Sequence, residues 1–217
     1  MPYSRSNPSQ RYLELTALYR NLHRDGEQRL GLTAEETYPG VSLLPHVKRI
    51  KELIVRTGAA TLLDYGCGKG MQYEPHRLTV PGEGVFDGVL EYWDVDEIRC
   101  YDPCYERFSK LPEGQFDGVV STDVLEHCTE DDIPWIVEEM FAYARRFVFA
   151  CIACYAAKTT LPNGENAHTT VRSSAWWHEV FAAAAARHPG VVWKIFTEVH
   201  EIDDHNEHGR PVKEPVR

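Results

Sequence analysis

The stretch STDVLEHC, residues 121–128, places Asp123, Glu126 and His127 within one turn of backbone, and a second histidine, His168, follows later in TLPNGENAHTTV. Imidazole has an ordinary pKa of ~6.5 and is mostly neutral at pH 7, so a histidine beside an acid is a candidate general base. The alternative reading is that Glu126 and His127 cap or brace the following helix. A second stretch, TLLDYGCGKGMQ (61–72), runs an apolar segment into Asp64 and then Gly66, Gly68 and Gly70. Glycines spaced in this way allow a tight turn at positive φ and remove the Cβ atoms that would keep a ligand off the backbone. A helix following the turn would offer unpaired N–H groups to whatever sits there. A dinucleotide turn calls for G-x-G-x-x-G, whereas this chain has G-x-G-x-G preceded by an acid.

These residues must be held by strands and helices, and the pattern predicts both. QRYLELTALYRNLHR (10–24) spaces Tyr12, Leu15, Leu18, Tyr19 and Leu22 by three and four, which predicts an amphipathic helix. A second helix is expected over 45–57, stopped by Gly58, with Val47, Ile50, Leu53 and Ile54 on one face. TLLDY has the unbroken apolar character of a strand buried on both faces. Further strands are expected at 97–102, 116–122, 146–154 and 191–199, with helices over 131–144 and 174–187 and a strand-like TTV at 169–171. Strands alternating with helices imply parallel βαβ units, hence an α/β fold with a doubly wound, Rossmann-like, mostly parallel sheet and an N-terminal helical lid. The expected organisation is a helical extension over 1–58, the sheet domain over 59–200, and a polar tail over 201–217, with an edge hairpin as the tail's alternative.

Totals exclude several classes. The 217 residues suffice for one α/β domain, and 33 acidic against 23 basic residues give a net charge of −10, opposite to the basic footprint of a nucleic-acid binder. No apolar run reaches the ~18 residues that span a bilayer, and the first ten residues lack a secretory apolar stretch, so a cytoplasmic protein with no membrane partner is expected. Six cysteines are then read as free thiols, and the C-x-x-C of Cys151 and Cys154 as buried strand residues. His200, His205 and His208 look like a metal cluster but are read as part of a solvated terminus.

DYGCGKG resembles the first motif of the class I S-adenosylmethionine-dependent methyltransferases. YDP (101–103) and FDGVVSTDVLEHC (116–128) are similar to two further motifs of that family, in the same order and at the carboxyl ends of expected strands. The resemblance covers roughly 59–190. It implies S-adenosylmethionine as cofactor, with Asp64 facing the methionine ammonium and Gly66, Cys67, Gly68 and Gly70 forming the turn against it. Asp102 would grip the ribose hydroxyls, Pro103 and Cys104 would lie near the adenine, and Thr122 and Asp123 would line the methionine end. In O-methyltransferases of the ubiquinone type and those acting on small-RNA 3′ ends, an E-x-x-E-H motif and a later histidine accompany a divalent metal. This chain has Asp123 in place of the first Glu. The resemblance therefore implies a possible metal on Asp123, Glu126, His127 and His168, and catalytic roles for His127, Glu126 and His168. The expected reaction is methyl transfer to an oxygen or nitrogen of a small-molecule acceptor, with no nucleic acid as partner. Alternatives are a nucleic-acid or protein methyltransferase of the same fold, and a catalytically silent cofactor-binding module. Two departures stand out: the first crossover is lengthened by 76–96, and 103–115 is too short for the usual helix and third strand.

Overall fold

The computed structural model describes residues 2–201 and 210–215. The first helix, α1 (Gln10–Asp25), starts where the Ser9 hydroxyl accepts the Tyr12 N–H and ends at Gly26, whose φ of 79° no L side chain favours. Its Leu15, Tyr19, Leu22 and His23 are buried. A 3₁₀ segment, Val41–His46, leads into α2 (Val47–Thr57), which buries the expected Val47, Ile50, Leu53 and Ile54 and ends at a left-handed Gly58. Strand β1 (Thr61–Tyr65) follows.

No helix of useful length follows the glycine turn, contrary to expectation; there is only a 3₁₀ turn, Met71–Tyr73. The long crossover instead folds into an antiparallel hairpin, β2 (Arg77–Val80) and β3 (Gly84–Asp87), and a short helix, α3 (Val89–Trp93). Tyr92 and Trp93 are buried against α2, so this insert packs one face of the sheet. Then come β4 (Glu97–Tyr101), a 3₁₀ turn at Glu106–Phe108, β5 (Phe116–Thr122), α4 (Ile133–Tyr143), β6 (Ala144–Ala153), α5 (Ser174–Ala185) and β7 (Val192–Glu201). Residues 169–171 are not a strand: the hydroxyls of Thr169 and Thr170 donate to the Cys128 carbonyl, holding this segment as a brace. Arg210–Pro215 forms β8, antiparallel to β7, so that part of the expected tail takes the hairpin form. His205 and His208 lie outside the described residues.

The sheet order is β4-β1-β5-β6-β7-β8, and the first five strands are parallel, a Rossmann-like α/β arrangement. Alternation along each strand separates two apolar layers. Leu63, Val119 and Val148 pack with Ile136, Phe141, Trp177 and Phe181 under α4 and α5. Leu62, Val120, Phe147 and Phe149 pack with α2 and α3 on the other face. A third cluster, Leu15, Tyr19 and Leu22 against Leu161 and Ala167, seats α1 on the loop between β6 and α5. Polar contacts fix the segment before α1: Ser9 donates its N–H and its hydroxyl to Asp132, and Arg5 pairs with Glu139 on α4 while donating to Tyr65 and Tyr12. The consequence is that α1 crosses the carboxyl edge of the sheet, where ligands of such sheets bind.

Candidate functional site

The turn after β1 uses every one of its N–H groups internally. Gly66 and Cys67 donate to the Tyr101 carbonyl (2.7 and 3.1 Å), Gly68 to Asp102 Oδ2 (3.0 Å), Lys69 to the Tyr38 carbonyl (2.9 Å), Gly70 to the Cys67 carbonyl (3.1 Å) and Met71 to the Pro39 carbonyl (3.0 Å). With its backbone donors spent and no helix N-terminus behind them, the turn offers no free N–H to a phosphate. The glycines are also closely met by the protein itself. A Cβ on Gly68 would lie 2.4 Å from the Tyr38 carbonyl oxygen, and one on Gly66 would lie 2.5 Å from the Val124 methyls. The three glycines have the positive φ expected of a tight turn, and the segment around Tyr38 and the residue after Asp123 also need the space their Cβ atoms would take. Gly66 and Gly68 still border a cavity, while Cys67 and Gly70 do not.

That cavity, about 350 Å³, lies between α1, the segment 36–42 and the carboxyl ends of β1, β4 and β5. Tyr12, Tyr19 and Tyr38 supply aromatic wall, and Tyr65 closes the floor. Its ionisable walls include Glu27, Glu36, Asp102 and Asp123, and no lysine or arginine. Asp102 sits where expected, at the end of β4 beside Pro103 and Cys104. Its Oδ2 accepts the Gly68 N–H and its Oδ1 the Cys104 N–H (2.8 Å), and burial pushes its carboxyl up to about 6.

Asp64 is placed differently from the expectation. Successive strand side chains take opposite faces, so Tyr65 borders the cavity and Asp64 turns behind the turn. There it accepts from Gln72 Nε2 (2.9 Å) and the Tyr73 hydroxyl (2.8 Å), and burial raises its carboxyl to about 7. It does not reach the cavity wall. Tyr92, Trp93, Trp176 and Trp177 are in or against the packed layers rather than around the cavity.

At the far end, Asp123, His127 and His168 converge, with one potential ligand atom from each lying within 4.8 Å of the others. Asp123 has the unusual φ of 61°, which aims its exposed carboxylate off the end of β5. His127 Nδ1 lies 3.1 Å from the Ala167 carbonyl, and His168 Nδ1 lies 2.5 Å from the Tyr155 carbonyl. A carbonyl only accepts, so each ring carries its proton on Nδ1 and leaves Nε2 as a lone pair. His168 Nε2 is 3.9 Å from Asp123 Oδ1. Burial, with His168 adding to it, lowers the His127 pKa to about 4 despite the opposing Asp123. Glu126 is not part of this cluster. It is fully buried, accepts the Ala153 N–H through Oε1, and is held well above the usual carboxylate range by burial and then by Asp123. Its bond to Ala153 ties the Leu125–His127 turn to the end of β6, while its buried Oε2 has no hydrogen-bond partner among the described residues.

Sequence reasoning missed His23, which is buried at the cavity wall beside Lys69 and stacked on Tyr105. It also missed the pairing of Tyr19 with His127: the Tyr19 hydroxyl lies 2.9 Å from Nδ1 and donates to the same Ala167 carbonyl. Only the helical spacing of Tyr19 signalled that this hydroxyl could face inward.

The fold and site define a class: a parallel-sheet α/β protein with an acid-lined cavity at the carboxyl edge and a carboxylate–imidazole cluster at one end. Searches of protein-family models and of curated proteins find no match to this chain. Among the described residues, no helix is long and apolar enough to cross a membrane.

Proposed function

We propose that the protein is an S-adenosylmethionine-dependent methyltransferase of class I type, with α1 as a lid over the cavity and a small, neutral or cationic molecule as acceptor. One observation carries this reading: the glycine turn spends all its donors inward, and the cavity beside it is walled by carboxylates without lysine or arginine. Such a pocket disfavours a pyrophosphate and favours a cationic sulfonium bearing an ammonium group. Asp102 fits the ribose: each oxygen accepts one backbone N–H and keeps a further lone pair for a hydroxyl. Gly66, Gly68, Pro103, Thr122 and Asp123 border the rest of the ligand. Asp64, in this reading, supports the turn rather than touching the ligand.

The sulfonium supplies the methyl group and a good leaving group, so the protein's work is positioning an acceptor for in-line attack. Asp123, His127 and His168 also fit a divalent metal. Both imidazoles donate Nδ1–H to backbone carbonyls, the outer contact typical of ligating histidines, and His168 presents Nε2 to the Asp123 carboxylate at 3.9 Å. A His127 pKa of about 4 makes a poor base at pH 7 but a ready neutral ligand. A divalent ion there supplies the charge that lowers an acceptor hydroxyl's pKa. Tyr19 and the Ala167 carbonyl hold His127 in orientation, and Tyr12 and Tyr38 exclude water from the cavity.

The test is calorimetric titration with S-adenosylmethionine and its demethylated product. Binding in the micromolar range is expected. No heat up to millimolar ligand would dispose of the reading. On an identified acceptor, exhaustive chelation should abolish turnover while binding of the demethylated product persists; full turnover after chelation would remove the metal and return His127 or His168 to the role of base.

A further inference from the structure

A second cluster of ligating side chains lies outside the cavity, on the sheet face covered by α2. His46 ends the 3₁₀ segment Val41–His46, Cys151 is on β6 and Glu198 is on β7. Strand alternation puts Phe149 and Cys151 on one face of β6, and Phe196 and Glu198 on the same face of β7, since Cys151 and Phe196 are register partners. The His46 ring packs against Phe149 and Phe196, with ring centres 5.7 and 6.1 Å away. That contact brings an imidazole nitrogen, the Cys151 sulfur and a Glu198 carboxylate oxygen within 4.8 Å of one another. His46 and Cys151 are buried, and Glu198 is partly so.

We propose that His46, Cys151 and Glu198 supply three ligands of a zinc site, distinct from the cluster at Asp123. Borderline-soft zinc takes a mixed thiolate, imidazole and carboxylate set, whereas magnesium and calcium require oxygen ligands. Geometry agrees. Bonds of ~2.3 Å to sulfur and ~2.0 Å to oxygen at the tetrahedral angle place the two ligand atoms roughly 3.5 Å apart, and Cys151 Sγ lies 3.9 Å from Glu198 Oε1. An outer contact is also in place. The Tyr155 hydroxyl donates to Glu198 Oε2 (3.1 Å), orienting the carboxylate, and the two phenylalanine rings form an apolar shell. Bound zinc would tie the 3₁₀ segment, and through it the Tyr38–Ser42 roof of the cavity, to β6 and β7.

Cobalt(II) alone is the probe, because a thiolate ligand gives cobalt an intense near-ultraviolet charge-transfer band that an Asp–His–His site cannot give. The metal-stripped full chain, titrated with cobalt, should show that band saturating at or before two equivalents, since the Asp123 cluster can take a second ion, and at one equivalent in the His127→Ala chain. Cys151→Ala should abolish it, while Cys154→Ala and His127→Ala should leave it. Zinc should displace the cobalt and remove the band. A wild-type chain without the band, or a band that survives Cys151→Ala, overturns the site. Should Cys151→Ala not fold, Glu198→Gln and His46→Asn serve instead: each is expected to weaken cobalt binding at the band by tenfold or more, and unchanged affinity in both overturns the site as well.

Discussion

Replacing Asp64 with Asn separates the geometry found from the ligand contact that the motif implies. In the folded chain the Asp64 carboxyl titrates at about 7, against an ordinary 3.8, because burial disfavours the charged form more than the bonds from Tyr73 and Gln72 favour it. A raised carboxyl pKa means that the native state binds more protons than the unfolded chain between those two values. The associated stability is complete below pH 3.8 and is lost as pH rises through 7. At pH 5 the neutral form outweighs the charged one by ~10² in the folded protein, which is worth roughly 2–3 kcal/mol; by pH 8 almost none remains. Asparagine copies the neutral form and can accept from the same two donors. Asp64→Asn should therefore gain roughly 2–3 kcal/mol on the wild type between pH 5 and pH 8, or about 5–10 °C in Tm for a chain of this size. Asp102 is electrostatically linked to Asp64 and titrates at about 6, so part of the difference is shared with it, and Asp64→Asn in an Asp102→Asn background isolates the Asp64 share. Urea unfolding at the two pH values measures it. An unchanged difference between variant and wild type would refute the burial argument. A tenfold or greater loss of S-adenosylmethionine affinity in a folded Asp64→Asn chain would show that the carboxylate meets the ligand after all.

Gly68→Ala would place a Cβ 2.4 Å from the Tyr38 carbonyl at a φ of 58°; the backbone penalty alone is ~1–2 kcal/mol, and a Tm within 2 °C of wild type would show that the 38–40 segment moves freely. Asp102→Asn sets an amide NH2 against a backbone N–H and removes the ribose acceptor, so ligand affinity by calorimetry should fall at least tenfold, about 1.4 kcal/mol; unaltered affinity would remove Asp102 from the site. Arg5→Ala breaks the pair with Glu139 and the contact over Trp135 (4.8 Å); with side chains 28% and 17% exposed, the loss should be about 1–3 kcal/mol in urea unfolding, below that of a fully buried pair. His127→Ala and His168→Ala should each lower turnover by ~10² or more while the demethylated product still binds; turnover within twofold of wild type in either would refute the cluster's role.

The strands were legible because parallel strands buried on both faces read as unbroken apolar runs, and β1 and β5 needed no partner in the sequence to be recognised. The helix α1 was legible because its spacing repeats the turn of a helix. What the spacing could not show was the partner of each polar group. Tyr38 and Pro39 lie some thirty residues before the glycines whose neighbouring N–H groups they accept, so the turn's satisfied donors have no local signature. The division of labour in DVLEH was hidden for a different reason. Leu125–His127 is a 3₁₀ turn, in which neighbours point ~120° apart. Glu126 and His127 thus leave the turn in different directions, the acid inward to the Ala153 N–H and the imidazole to the cavity wall. The opposed faces of Asp64 and Tyr65 follow from strand alternation alone and were readable in principle.

A glycine-rich turn has no charge preference of its own; the chain around it decides which backbone groups it exposes. Where a long helix continues from such a turn, free N–H groups and the helix dipole gather at its start and invite an anion. Here the crossover departs as a hairpin, the donors close onto Tyr101, Asp102, Cys67 and the 38–39 carbonyls, and the charged side chains along the cavity are the carboxylates Glu27, Glu36, Asp102 and Asp123. The turn's N–H groups are taken up by residues outside the lengthened crossover, and the crossover's hairpin leaves no long helix to add a dipole behind them. On the proposed reading, a nucleoside sulfonium brings a positive charge to these carboxylates and hydroxyl donors to Asp102, whereas the pyrophosphate of a dinucleotide would meet carboxylates without a free backbone N–H to hold it.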